Sequence, residues 1–331
     1  MMDKKIKSLR ISNLNDITPF VIFFIIAIFF GIATEGKIFS PFNLRILVDQ
    51  SITTLVAGLG LVFVIALGGT DITAGAVVAL AGYSAYLLGC RHGTIVAFAI
   101  AIAVGLASGF VLGFVNAKRK VASFMASLAI GPIALRGFTS IIIQGYTKEV
   151  IITREIAAIN TFPVKIPIVC VLIVVIVFIF HFTPFGYNCR AIGENEVAAK
   201  YTGVNVKKVK ILAFMISGMM AGIAAVFTIS RASCVQSSLG TGFEMNVMMA
   251  IFVAGVPVNG GMGAKIYKLF LGAFSLLILQ TGMVLCGLSG AVIQGVRGII
   301  LLAVVYLSVI LNEKGSGGVV IKLPGRGIKT G

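Results

Sequence analysis

Long apolar runs separated by short polar breaks make up most of the chain. They lie at 20–33, 46–67, 76–89, 94–115, 121–143, 168–182, 211–230, 245–258, 266–286 and 299–311. They do not alternate apolar and polar residues as membrane-barrel strands do, and about 20 apolar residues suffice for one helical crossing. The pattern predicts an all-α polytopic membrane protein with about ten transmembrane helices. Some spans are broken. Gly131-Pro132 interrupts the fifth, GGTDITAG (68–75) links the second to the third, and 287–298 reads as an outer, partly re-entrant stretch. Gly105, Gly109 and Gly113 recur every four residues, and SGMMAG fills 217–222. Both predict small-residue faces for close helix contact.

The charged positions orient these spans. With residues 1–17 in the cytoplasm, most of the 27 Lys and Arg fall on inner segments. They cluster at Lys4, Lys5, Lys7 and Arg10, at 118–120, at 190–210, at Lys265 and Lys268, and in the tail. That bias predicts that both termini are cytoplasmic. No small-x-small cleavage pattern follows the first run, so it is expected to stay as an uncleaved first helix. The organisation is then a basic N-terminus at 1–17, a transmembrane domain at 18–311 with a cytoplasmic loop at 183–210, and a Gly- and Lys-rich disordered tail at 312–331.

Within that loop, RAIGENEVAAKYTGVNVKKVK (190–210) is a polar, basic island between two strongly apolar runs. ENEVAAK (194–200) predicts a short exposed helix with two acids at its start. Gly203 and Asn205 are expected to end it by turn chemistry. A short helix held between two spans suits a docking handle. An ordinary loop fits the spacing equally well.

Composition strengthens the membrane assignment. The 331 residues are 58% hydrophobic and 11% charged, with mean hydropathy +1.07. A soluble domain carries about 25% charged residues. The net charge of +16 raises nucleic acid as a partner. The inward gathering of Lys and Arg accounts for it better, so the bilayer is expected as a partner and nucleic acid is not. Five scattered cysteines form no CxxC pair, and neither a disulfide framework nor a metal site is expected. No catalytic cluster and no GxxxxGK[ST] phosphate loop occur.

Several polar residues stand at membrane depth. Asp71, with Thr70 and Thr73, is a functional candidate by position. A cap or cap-like role before the third span is the favoured alternative. Arg136 should face protein or water, with a salt bridge to a carboxylate as the expected arrangement. Glu244 and Asn246 open the eighth run, where Glu244 could meet an external partner, line an entrance or cap its helix. Gln280, Thr281 and Gln294 could serve a polar solute or join helices by hydrogen bonds. His92 and His181 read as interface residues.

Four segments together resemble the permease subunit of ribose and simple-sugar ABC importers, in the same large group as branched-chain amino-acid permeases. VIALGGTDITAGAVVALAG (64–82) is similar to the family's Gly-Gly-x-Asp-Leu-Ser-x-Gly signature. FMASLAIGPIALRG (124–137) resembles its Phe-x-x-Thr-Leu-Gly run ending in Arg-Gly. RAIGENEVAAKYTGVNV (190–206) resembles its coupling loop, and 240–264 resembles its Gly-x-x-x-Glu-Leu segment with the Gly-Gly-x-Gly turn. The likeness spans about 44–308. Ala254-Gly255-Val256-Pro257 stands where the family has Gly-Gly-Thr-Ser, and Thr281-Gly282 replaces Asn-Gly, which leaves the solute open.

The resemblance implies a transport subunit with no cofactor of its own, in a bacterial cytoplasmic membrane. ATP and magnesium would sit on a separate ABC ATPase subunit. An extracytoplasmic solute-binding protein and a second permease copy or paralogue would complete the importer. Gly193, Glu194, Asn195, Glu196, Ala198, Ala199 and Gly203 would form the coupling helix that grips the ATPase. A small sugar is the implied solute, with a nucleoside or another small polar solute as the alternative. A stand-alone secondary carrier would need coupling-ion groups near the bilayer centre, and the chain offers few.

Overall fold

The computed structural model describes residues 2–89, 92–119, 121–144, 150–151, 154–236, 238–256 and 260–315. In chain order the helices are α1 (Met2–Ala33), α2 (Pro41–Ala66), α3 (Ala74–Ser84), α4 (Thr94–Arg119), α5 (Ser123–Leu128), α6 (Arg136–Gln144), α7 (Arg154–Ala158), α8 (Phe162–Phe182), α9 (Pro184–Glu194), α10 (Glu196–Tyr201), α11 (Val206–Ala232), α12 (Phe243–Val253), α13 (Ile266–Leu285) and α14 (Gly290–Gly315). Two short strands, Val150–Ile151 and Cys234–Val235, pair antiparallel. Among the described residues, six helical stretches are long and apolar enough to cross a membrane, and four more are apolar but shorter.

The bundle is built on α2 and α11. Every residue of α2 from Ser51 to Ala66 is buried. Most of α11 is buried too, and α4 lies along it. The approach is set by glycine. A Cβ at Gly109 would strike the Phe214 carbonyl, and one at Gly218 would strike the Gly105 carbonyl. Gly113 faces Ile211, and Gly222 faces Ala101. Without side chains between them, the backbones meet directly, which is how helices associate when lipid offers no hydrophobic drive. Both small-residue faces expected from the sequence meet each other.

The outside of the bundle is apolar. Phe24, Ile25, Ile28 and Phe29 of α1 are exposed, as are Val171, Val174, Phe178 and Phe182 of α8. In water such faces would be an aggregation hazard; in a bilayer they are ordinary contact with lipid tails.

The break at Gly131-Pro132 takes a specific form. Ala129–Leu135 is a π-helical turn joining α5 to α6. Proline lacks an N–H and cannot continue the regular ladder, and a π-turn absorbs the mismatch. A second π-turn, Ala85–Gly89, follows α3.

Four expectations change. The stretch 287–298 is not re-entrant: after a turn with Gly287 at φ +78°, α14 runs unbroken from Gly290 through Gly315. The start of the predicted tail, up to Gly315, belongs to that helix, and 316–331 lie outside the described residues. The sixth span begins earlier than 168, because Pro163 sits in the first turn of α8, where a missing N–H costs nothing. Finally, α3 and α12 have 11 residues each, about 16 Å at 1.5 Å per residue, too short for a 30 Å core. They begin inside the bundle, at the ends of irregular segments.

Candidate functional site

At one end of the bundle, α9 and α10 form an elbow between α8 and α11. Thr183 caps α9 by accepting from the Gly186 N–H at 3.4 Å, with Pro184 at its first position. Asn195 then caps α10, its Oδ1 accepting from the Ala198 N–H at 3.0 Å. Gly203, at φ +87°, turns the chain out of α10. Asn205 does not end this helix: its Oδ1 accepts from the Lys208 N–H at 3.2 Å and so starts α11. A side-chain acceptor of this kind serves the helix that follows it, and Asn is among the preferred N-caps.

The elbow is seated on the bundle by glycine. A Cβ at Gly193 would collide with the Ala66 carbonyl, at the last residue of α2. It would also press on the Gly261 N, and a Cβ at Gly261 would strike the Glu194 side chain. Gly260, at φ +75°, lies against the Ile65 carbonyl and the Gly68 N. The elbow, the end of α2 and the turn before α13 therefore share one close junction. Asn259 lies outside the described residues. In α9, Cys189 is fully buried, and burial pushes its thiol up to about 12.

The outer surface of the elbow is unusual. Ala199 faces inward and is buried, while Ala198 is exposed. Val197 is 63% exposed and Tyr201 88%, one helical turn apart, and Tyr187 of α9 is exposed as well. Glu194, Asn195 and Glu196 are exposed around them, and Glu196 pairs with Lys210 at 2.8 Å. Val197 and Tyr201 escaped the sequence analysis. The available signal was an apolar pair at i, i+4 on an otherwise polar helix.

A second group of candidates meets inside the bundle, where α3 and α12 begin. Asp71 is buried and fully engaged. Its Oδ1 accepts from the Thr73 N–H at 2.8 Å and from the Thr73 hydroxyl at 2.6 Å, and its Oδ2 accepts from the Ser217 hydroxyl at 2.8 Å. This is a cap-like arrangement that ties the approach to α3 onto α11. Thr73 also packs against Gly131 of the π-turn. Thr70 is half-buried.

The Glu244 carboxylate, in the first turn of α12, lies against Gly75 of α3. Its Oε2 is buried and has no hydrogen-bond partner. Arg136 makes no salt bridge, contrary to expectation. Its Nη2 donates to the Leu239 carbonyl at 3.3 Å and to the Thr241 hydroxyl, holding the irregular segment before α12. The reason is local: Arg136 opens α6 within reach of a backbone carbonyl and a hydroxyl of that segment, and these accept from it in place of a carboxylate.

Asn246, two residues beyond Glu244, points to another side. Its Oδ1 accepts from Gln280 Nε2 at 3.3 Å and from Arg297 Nη1 at 3.2 Å, joining α12, α13 and α14. The Nε of Arg297 is buried without a partner. Nothing in the spacing of Arg297 along the chain points to Asn246. Thr281 is half-buried and Gln294 is exposed; neither joins this cluster through a hydrogen bond found here. His92 and His181 are exposed, and among the described residues no cluster of three metal-ligating side chains occurs.

Helices that begin inside a membrane bundle, with polar groups at their starts, are a transporter arrangement. The sequence comparisons agree. Residues 43–305 match the family described as branched-chain amino acid transport system / permease component. The chain belongs to that family and is a multi-pass membrane transport component. It is 29% identical over 281 residues to the ribose import permease protein of Escherichia coli (strain K12), covering 82% of this chain and 86% of that one. It is 36% identical over 253 residues to the L-arabinose transport system permease protein of the same strain, covering 74% and 76%. A probable ABC transporter permease protein of that strain is 31% identical over 309 residues, covering 92% of each chain. No solved structure matches the chain.

Proposed function

We propose that this chain is the membrane-spanning subunit of an ATP-binding-cassette importer and forms the path for a small sugar. The observation that carries the proposal is the elbow: an apolar patch of Val197, Ala198 and Tyr201, exposed on a polar surface and seated by glycine contacts on the ends of two core segments. An exposed patch on a rigid mount calls for a protein partner. An ABC ATPase is that partner, and ATP and magnesium act there. Movement of the elbow passes directly to α2 through Gly193 and to the approach to α13 through Gly261.

In this proposal the six long and four shorter apolar helices make ten crossings, α3 and α12 each crossing together with the irregular segment that precedes it, with both termini and the elbow cytoplasmic. A second permease copy or a paralogue and an external solute-binding protein complete the importer. The solute passes the first turn of α12, with Glu244 on one side of it and Asn246, Gln280 and Arg297 on another. The free Glu244 Oε2 and Arg297 Nε supply an acceptor and a donor for sugar hydroxyls. The relatives named for ribose and arabinose support a monosaccharide.

Ala198→Trp tests the docking role. Ala198 is exposed, so the added ring meets no part of this chain. Transport of radiolabelled ribose or arabinose and co-purification of the ATPase are expected to drop at least about tenfold, the consequence of losing roughly 1.4 kcal/mol at an interface. The amount of folded permease should stay level. Normal transport at normal expression would sink the docking assignment.

A further inference from the structure

At the end of the bundle opposite the elbow, the start of α2, the start of α8 and the end of α11 form an open pocket of about 440 Å³. It is lined by Arg45, Asp49, Gln50, Asn160, Phe162 and Arg231. Lys165 lies behind the wall with no exposed side-chain surface. Its ammonium pairs with the Asp49 carboxylate and donates to Asn160 Oδ1 at 2.9 Å. Arg231 is within electrostatic reach of the same carboxylate. Three cations thus share one acid, and the acid is engaged by the buried lysine. The pocket keeps an excess of positive charge on its two guanidinium groups. Arg45 is held at the mouth, its guanidinium 4.8 Å from the centre of the Phe162 ring.

The surroundings point to the source of an anion that would balance this charge. Phe42 and Leu44 beside Arg45, and Val164 and Ile166 beside Lys165, are exposed and apolar. They lie on helices whose outer faces meet acyl chains. A ligand that fits both features carries an anionic phosphate on an apolar tail.

We propose that this pocket binds the phosphate headgroup of an anionic glycerophospholipid, with Arg45 and Arg231 taking its oxygens. Guanidinium matches phosphate in planar, two-point fashion. The acyl chains lie along the exposed face of α8, past the first turn of α2 at Phe42 and Leu44. A zwitterionic headgroup brings its own cation into a site already rich in positive charge, so it binds less well. The site is separate from the sugar path and from the elbow, and it bolts α8 to the core through a lipid.

The test uses the purified full chain in an uncharged detergent. Short-chain phosphatidylglycerol, phosphatidylcholine with the same chains, and glycerol 1-phosphate are titrated separately. Bound ligand is read by native mass spectrometry and by the shift in Tm. Phosphatidylglycerol is expected to bind about tenfold or more tighter than phosphatidylcholine, with about a fivefold loss in Arg45→Gln, as one basic group near an anionic lipid implies. Arg45 is exposed, so that variant keeps the fold. The double variant Arg45→Gln/Arg231→Gln should lose the preference, and Lys208→Gln at the far end should keep it. Equal binding of the two lipids, or an unchanged preference in Arg45→Gln, overturns the proposal. Glycerol 1-phosphate binding as tightly as the lipid overturns it too, since the site would then serve a soluble anion.

Discussion

Helices α2 and α8 are both long apolar helices, yet they do opposite work. In the most apolar stretch of α2, 83% of residues are buried within the protein; in α8 the share is 17%. The less buried helix is the more apolar one. In a soluble protein that order would be reversed. In a membrane, apolar surface already has a good solvent, so it does not drive a helix into the core. What drives α2 inward is small and polar content: Gly58 and Gly60 allow close approach, and Ser51, Thr53 and Thr54 are buried with it. Helix α8 instead is Val, Ile and Phe on nearly every face.

What holds α8 to the core is then a short list. Val169 and Ile176 are buried in the core, Phe180 meets Phe63 edge to face with ring centres 5.1 Å apart, and Lys165 pairs with Asp49. The ion pair makes the sharpest prediction. Asp49→Asn leaves the Lys165 charge buried and uncompensated, with an expected loss of about 3–5 kcal/mol. Thermal unfolding in detergent measures it. The double variant Asp49→Asn/Lys165→Met should recover most of that loss, because the buried charge goes as well. Full stability in Asp49→Asn alone would mean that α8 is held by lipid-like contacts and nothing else.

The next effect belongs to the core side of the comparison. Gly218→Val puts a branched side chain against the Gly105 carbonyl and the Gly109 N, where α4 and α11 touch. Overpacking of this kind costs about 1–3 kcal/mol. A lower Tm and a smaller folded fraction on size exclusion are the expected readouts. An unchanged Tm would show that the two helices can slide apart at no cost, and that small residues do not set the core.

These two regions also mark what the sequence made legible. The runs, the glycine faces and the Gly131-Pro132 break were readable because each has a local chemical signature. So was the position of the elbow, since a basic island between apolar runs stands out. Depth was readable only in part. The position of Asp71 and Thr73 at membrane depth was legible, but not that they sit buried at the start of a half-length helix. Glu244 reads as an outer residue, yet it meets Gly75. A glycine-rich segment has the same composition at a membrane surface as in a cavity, and only the partners tell them apart. Nor could spacing show that Arg136 serves a carbonyl and a hydroxyl, or that Asn246 gathers Gln280 and Arg297 from two other helices. Helix α9 was missed for a different reason: its polar residues hid the Thr-Pro start that caps it.

The smallest effect is the most direct test of the opening contrast. Val174 of α8 is 67% exposed and apolar. If its surroundings were water, Val174→Leu would be a poor change, adding exposed apolar surface. If they are lipid tails, the larger side chain exchanges one hydrocarbon contact for another. Thermal stability in lipid nanodiscs is expected to move by less than about 0.5 kcal/mol, the range of ordinary surface changes. The matching polar change, Val174→Asp, places a carboxylate at the middle of a lipid-facing helix and should reduce insertion by about 2.5–3.5 kcal/mol. Equal effects from the two variants would mean that this face of α8 is covered by protein, with a second copy of the chain as the natural cover. Helix α8 would then owe its position to an interface and not to lipid.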